Sequence, residues 1–350
     1  MQYRPLGRTG LQVSAIALGT MTWGEQNTEQ EAHDQLDLAL DLGVNFIDTA
    51  EMYPVPPRPE TQGLTERYIG TWLQKTGRRQ DIVLATKATG PSRQAARPGH
   101  VRGGRLLFTR ENLFEAVDQS LQRLQTDHID LYQLHWPDRS APIFGQRDYR
   151  HVADEVTTPI EETLAALQEL VKAGKVRHVA VSNETPWGLS RFLHLADTQP
   201  ALPRVASIQN AYSLLNRSFE LGLSEFALRE QVGLLAYSPL AFGVLSGKYL
   251  AGERPDGARL SLFARFTRYN SENTERATYE YVSLFRRHGI DPAQGALAFV
   301  NGRDFVTANI IGATSLDQLR SNIASIDVSL PQEVLDGIEA IHQRCPNPAP

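Results

Sequence analysis

The chain has 350 residues, 41% of them hydrophobic and 21% charged, enough length and apolar material to bury a core without covalent staples. Its one cysteine, Cys345, excludes a disulfide framework and a thiolate zinc cluster and fits a reducing, cytoplasmic setting. A net charge of −5 argues against nucleic acid as a partner, because phosphate contacts need a dominant basic face, and no apolar run reaches the ~18 residues that a membrane-spanning helix needs.

Residues 3–13, with Gly7 and Gly10, read as a hairpin within a 1–14 N-terminal segment. Short runs rich in Val, Ile and Leu follow at 15–18, 44–47, 82–85, 129–134, 176–181, 205–208, 232–236 and 309–311. Such runs are the pattern of strands buried on both faces, as in a parallel sheet. Between them, apolar residues at three- and four-residue spacing predict amphipathic helices over 29–42, 110–124 and 160–171. Gly43 and Gly174 stand where such helices end in a left-handed residue. Eight strands alternating with helices predict a (β/α)₈ TIM barrel, read as a single domain over 1–350 with long loops at 88–109 and 137–159 and a tail at 343–350. A doubly wound nucleotide-binding sheet is the competing architecture. It would require G-x-G-x-x-G after the first strand, whereas that turn reads Gly19-Thr20-Met21-Thr22-Trp23-Gly24. No phosphate-loop motif occurs either.

In a barrel of this kind chemistry sits at the C-terminal ends of the strands. There the sequence places Asp48 with Tyr53 in the following loop, then Lys87, His135, Ser182-Asn183, Gln209-Asn210, Tyr237-Ser238 and Gly312. A phenol titrates near pH 10, too high for an effective acid at neutrality. A lysine ammonium beside it would lower that value, and Asp48 would hold Lys87 charged and aimed. His135 could donate to a carbonyl oxygen. Together the four make a general acid suited to hydride addition at a carbonyl, with the hydride itself coming from a cofactor. Trp23 and Trp136 either wall an apolar substrate pocket beside Tyr53 and His135 or pack in the core. None of the nine histidines forms H-x-H or H-E-x-x-H, so a metal site is not expected.

The ordered motifs resemble the aldo-keto reductase family. They are Asn45-Phe46-Ile47-Asp48-Thr49-Ala50-Glu51-Met52-Tyr53, Thr86-Lys87, Leu134-His135-Trp136, Val181-Ser182-Asn183, Gln209-Asn210, Ala236-Tyr237-Ser238-Pro239-Leu240, Gly247-Lys248-Tyr249 and Ile311-Gly312-Ala313-Thr314 with Gln318 and Asn322. The resemblance implies an NADPH-dependent (NADP⁺-forming) reduction of small carbonyl compounds. In it Tyr53 is the proton donor, Asp48 and Lys87 tune it, and His135 orients the carbonyl. It further implies that Tyr237 stacks on the nicotinamide while Ser182, Asn183 and Gln209 hold its carboxamide. Ser238, Pro239, Leu240, Ala241 and Gly243 match the segment along the pyrophosphate. Lys248, Arg259, Gly312, Thr314, Gln318 and Asn322 match the adenosine end. Gly19, Thr20 and Met21 join Asp48 on the cofactor's inner side. One departure is Pro54, which opens a proline-rich loop where many members of the family have glycine after the tyrosine.

Residues 90–110 carry Arg93, Arg97, Arg102, Arg105 and Arg110 with no acidic residue. This loop either steers anions toward the mouth or is simply solvated. A different class of function, an NADP(H)-binding sensor or regulatory subunit with slow turnover, would keep the same barrel. Oligomeric partners and the natural substrate are not legible in the sequence.

Overall fold

The computed structural model describes residues 1–91 and 99–350. Two short strands, β1 (Tyr3–Pro5) and β2 (Gln12–Ser14), pair antiparallel as the expected hairpin. Eight parallel strands then close into a barrel: β3 (Ile16–Gly19), β4 (Phe46–Asp48), β5 (Val83–Ala88), β6 (Ile129–Leu134), β7 (Val176–Ser182), β8 (Val205–Ala211), β9 (Gly233–Tyr237) and β10 (Val306–Ile311). Each pairs with its neighbours in chain order, and β10 closes the ring against β3 and β9. The (β/α)₈ expectation holds.

All eight apolar runs lie within about three residues of their strands. The last strand begins earlier than expected, at Val306 rather than residue 309. Polar Thr307 interrupts the run there, and the pairing register slips between Val306 and Ala308. The helices Glu29–Asp41, Arg110–Leu124 and Ile160–Lys172 form where periodicity places them. Thr28 and Glu31 close a reciprocal cap on the first, and the Thr109 side chain caps the second.

The hairpin closes the bottom of the barrel. Its Leu6 and Val13 pack with inward-facing Phe46, Leu131, Leu235 and Ala308 in one apolar cluster. Gly7 makes this possible. Its φ is 54°, and a Cβ there would stand 2.3 Å from the carbonyl oxygen of Ala206. Apolar side chains thus fill that end of the barrel interior. At the C-terminus, helix Gln332–Arg344 is followed by a packed segment in which the Ala349 amide donates to the Leu215 carbonyl. Among the described residues no helix is long and apolar enough to cross a membrane, and no group of His, Cys, Asp or Glu could hold a metal ion.

Candidate active site

The barrel register sets the mouth. Asp48 closes β4, paired to Ala85; Lys87 lies opposite Gln133; and Ser182 lies opposite Gln209. Lys87 is fully buried. Its ammonium donates to Asp48 Oδ2 at 2.7 Å and to the Thr49 carbonyl at 2.7 Å, and stands 3.5 Å from the Tyr53 hydroxyl. The other oxygen of Asp48 accepts from Gln133 Nε2 at 3.0 Å and Gln209 Nε2 at 2.8 Å. The Tyr53 ring meets His135 edge-on, with centroids 5.8 Å apart. Thus the four residues expected together are brought together.

His135 is held from behind. Asn183 donates to its carbonyl at 2.9 Å, and Tyr237 donates to Asn183 Oδ1 at 2.7 Å. Asn183 and Ser238 adopt left-handed backbone, with φ of 52° and 55°, conformations that side chains tolerate where surrounding structure fixes them.

The electrostatics correct one expectation. Burial raises the Tyr53 phenol above its ordinary 10.0; Lys87 lowers it by less, and Asp48 adds to the rise. The sequence argument counted the ammonium but not the desolvation, which follows from depth in the barrel. The phenol therefore stays protonated across the neutral range. Burial opposes charge on Lys87 too, but Asp48 and then Tyr53 outweigh it, and the lysine titrates above its usual value. His135 is pushed well below 6.5 by burial and then by Lys87, so its imidazole is neutral. Its Nδ1 is buried with no partner among the described residues.

A consequence for stability follows. The unfolded chain takes up a proton at His135 near 6.5, whereas the folded protein resists it. Stability is complete above that pH and falls below it, by about 1.4 kcal/mol per pH unit from this group. Burial depresses His178 and His342 in the same direction. Urea melts at about pH 7.5 and about pH 5.5 should give the lower midpoint in acid; an unchanged midpoint contradicts a neutral buried His135.

One cavity of about 1500 Å³ runs from this cluster past the ends of β9 and β10. Every residue named above for the dinucleotide lines it except Ala241, which is fully buried behind the wall. Lys248 and Arg259 share one stretch of the wall, and among the described residues no carboxylate pairs with either. Burial, then Arg259, depresses Lys248, and burial depresses Arg259. Helix Leu316–Ala324, capped by Ser315, contributes Asp317, Gln318 and Asn322 to the same cavity wall. Gln318 accepts from the Thr314 amide at 3.1 Å, and Asn322 donates to the Gly312 carbonyl at 3.1 Å.

Trp136 lines the cavity, its indole N–H on the Pro91 carbonyl at 2.9 Å. Trp23 does not: it is wholly buried with its N–H on Gln35, so it packs in the core. The arginines of the 90–110 loop that are described are paired. Arg102 is buried against Glu51 at 2.9 Å, and Arg105 and Arg110 pair with Glu115 and Glu169. None of the three lines the cavity; Arg93 and Arg97 lie outside the described residues. After Pro54 the chain turns along the cavity rim, where Val55 and Pro57 line the wall and the Val55 amide donates to Met21. Sequence reasoning missed Gln133, the second donor to Asp48. A polar residue one step before the end of the fully buried strand that leads to His135 was its signal.

A parallel barrel whose polar residues gather at the C-terminal mouth is the architecture of the (β/α)₈ enzymes. A sequence profile of the Aldo/keto reductase family matches residues 15–343, and the chain belongs to that family of oxidoreductases. It is 53% identical to Protein tas of Escherichia coli over the whole of both chains. It is 36% identical to an uncharacterized oxidoreductase, YrpG, of Bacillus subtilis, covering 96% of this chain and 94% of that one. A probable voltage-gated potassium channel subunit beta of rice is 31% identical, covering 99% of this chain and 98% of that protein.

Proposed function

We propose that the protein is an NADPH-dependent reductase of aldehydes or ketones with Tyr53 as the proton donor. The observation that carries this reading is a single cavity that holds a protonated phenol, backed by a buried ammonium, together with two cations that lack carboxylate partners among the described residues. The donor set fits a nicotinamide dinucleotide. Both amide hydrogens of Gln209 are committed to Asp48 and Gln133, which leaves Oε1 to accept from a carboxamide. Ser182, Asn183 and Tyr237 would hold the nicotinamide end, and Ser238, Leu240 and Gly243 the pyrophosphate. Lys248 and Arg259 would hold a phosphate at the adenosine end, together with the helix N-terminus at Ser315. Bound there, the cofactor supplies the hydride that no side chain can give.

The chain's own groups do the rest. The neutral imidazole of His135 orients the substrate oxygen. Tyr53 Oη passes its proton to that oxygen as charge develops there. Lys87 stabilises the phenolate left behind, and Asp48, fixed by two glutamines, keeps Lys87 charged. A cytoplasmic location and a single barrel domain over the whole chain accompany this reading.

The paired cations make the preference for NADPH over NADH testable. In Lys248→Ala the Kd for NADPH rises ~10–100-fold, the size of a lost charge-assisted bond, while that for NADH changes less than about threefold. Titration followed by protein fluorescence reads both constants; equal losses for the two cofactors would place Lys248 elsewhere. Similarity to the rice channel-subunit protein supports a second reading, in which the barrel binds NADP(H) and turns over slowly as a regulatory subunit. Steady-state turnover against a panel of carbonyls separates the two.

A further inference from the structure

The cavity holds another cation that the reading above does not use. Arg268 lines the wall, half-buried. Its guanidinium carbon lies 5.6 Å from the centre of the Phe144 ring and 5.9 Å from that of Tyr269. Its polar neighbours are the phenols of Tyr237 and Tyr269. Among the described residues no carboxylate comes within ion-pairing distance of it. Four other arginines drawn into the fold are matched by glutamates, Arg102 with Glu51, Arg123 with Glu66, Arg139 with Glu184 and Arg217 with Glu220, and Arg4, which has no carboxylate, donates to two backbone carbonyls instead. A guanidinium partly withdrawn from water with no anion of its own is destabilising, and its five planar donors are shaped for a carboxylate.

Tyr269 lies near both Arg268 and Arg259, but their aromatic partners differ. Arg259 stacks over Phe242 at 5.3 Å, beside Gly243 and Lys248. Arg268 instead ends a row that starts at His135. The His135 and Trp136 rings are 4.7 Å apart, Trp136 and Phe144 are 5.7 Å apart, and Phe144 meets Arg268. Met52, Val55 and Ile143 add apolar wall at the same end of the cavity. From the imidazole outward, the pocket thus offers a hydrogen bond, an aromatic middle and a cation.

We propose that Arg268 recognises a carboxylate on the substrate, so that this cavity selects carbonyl compounds with an aromatic or apolar body and a carboxylate distant from the carbonyl. The carbonyl half of that statement rests on the reductase reading; the carboxylate half does not.

The test measures binding without turnover. The probes are para-hydroxymethylbenzoate and its biphenyl homologue, each compared with its methyl ester, titrated calorimetrically into the protein alone and with NADP⁺ present. At least one acid binds the wild type about 10–100-fold more tightly than its ester. In Arg268→Gln that ratio falls toward one. Arg268→Lys keeps part of it, because an ammonium attracts the carboxylate but cannot grip it at two points. With the matching aldehydes, the kcat/KM ratio of acid to ester collapses in parallel, through KM. Equal affinity for acid and ester in the wild type overturns the proposal. So does an Arg268→Gln protein with a normal melting curve that retains the preference, or one whose loss falls on NADPH affinity instead. Preferential binding of the acid with no NADPH oxidation by either aldehyde would defeat the reductase reading and leave the Arg268 site standing. Oxidation by both aldehydes with no preference would do the reverse.

Discussion

Replacing Tyr53 with phenylalanine lowers kcat by ~10²–10⁴, the contribution of a positioned general acid, with NADPH affinity within about threefold of wild type. The substitution is narrow. Phenylalanine keeps the ring that meets His135 edge-on and fills the same space beneath the rim, removing only the hydroxyl that stands 3.5 Å from the Lys87 ammonium. Because burial keeps that hydroxyl protonated, the wild-type reduction rate should hold through neutral pH and fall only above 10, once the phenol ionises. With His135 neutral well below 6.5, no acid limb arises from the imidazole near neutrality. A Tyr53→Phe protein with wild-type kcat would remove the phenol from the reaction.

The buried ion pair gives the second large effect. Lys87 and Asp48 are both almost wholly removed from water and 2.7 Å apart. Either Lys87→Met or Asp48→Asn leaves one charge buried alone, which should destabilise the fold by about 3–5 kcal/mol. In both, kcat should fall by ~10²-fold or more, because Lys87→Met removes the charge that stabilises the phenolate and Asp48→Asn removes the carboxylate that aims it. The double variant separates the two consequences. With no lone charge remaining, it should recover much of the stability lost in the singles while recovering none of the activity. Denaturant melts of the four proteins close the cycle. Strictly additive losses would mean that the pair is not coupled as its geometry requires.

The barrel was legible because strands buried on both faces are dominated by apolar residues, and 15–18, 82–85 and 232–236 hold no polar side chain. The tetrad was legible because a side chain that follows such a run stands at the mouth. What local pattern could not carry was contact between distant segments. Arg102 read as part of a cationic loop, yet it is buried on a glutamate 51 positions earlier. Trp23 read as a possible pocket wall, and only the packing of helix Glu29–Asp41 against it, with Gln35 on its indole, puts it in the core. The direction of the Tyr53 shift turned on depth, which no spacing encodes. Gln133 orients Asp48 from two strands away. Arg268 sits in a loop without periodicity, and its neighbours Phe144 and Tyr237 come from two other loop and strand ends.

The measurement that bears most directly on the central claim is single-turnover mixing of the NADPH complex with aldehydes and ketones, following loss of the reduced cofactor and formation of alcohol. The account predicts one alcohol for each NADPH consumed, at a rate that Tyr53→Phe lowers by ~10²–10⁴. Tight binding of NADPH with no oxidation by any carbonyl would contradict it.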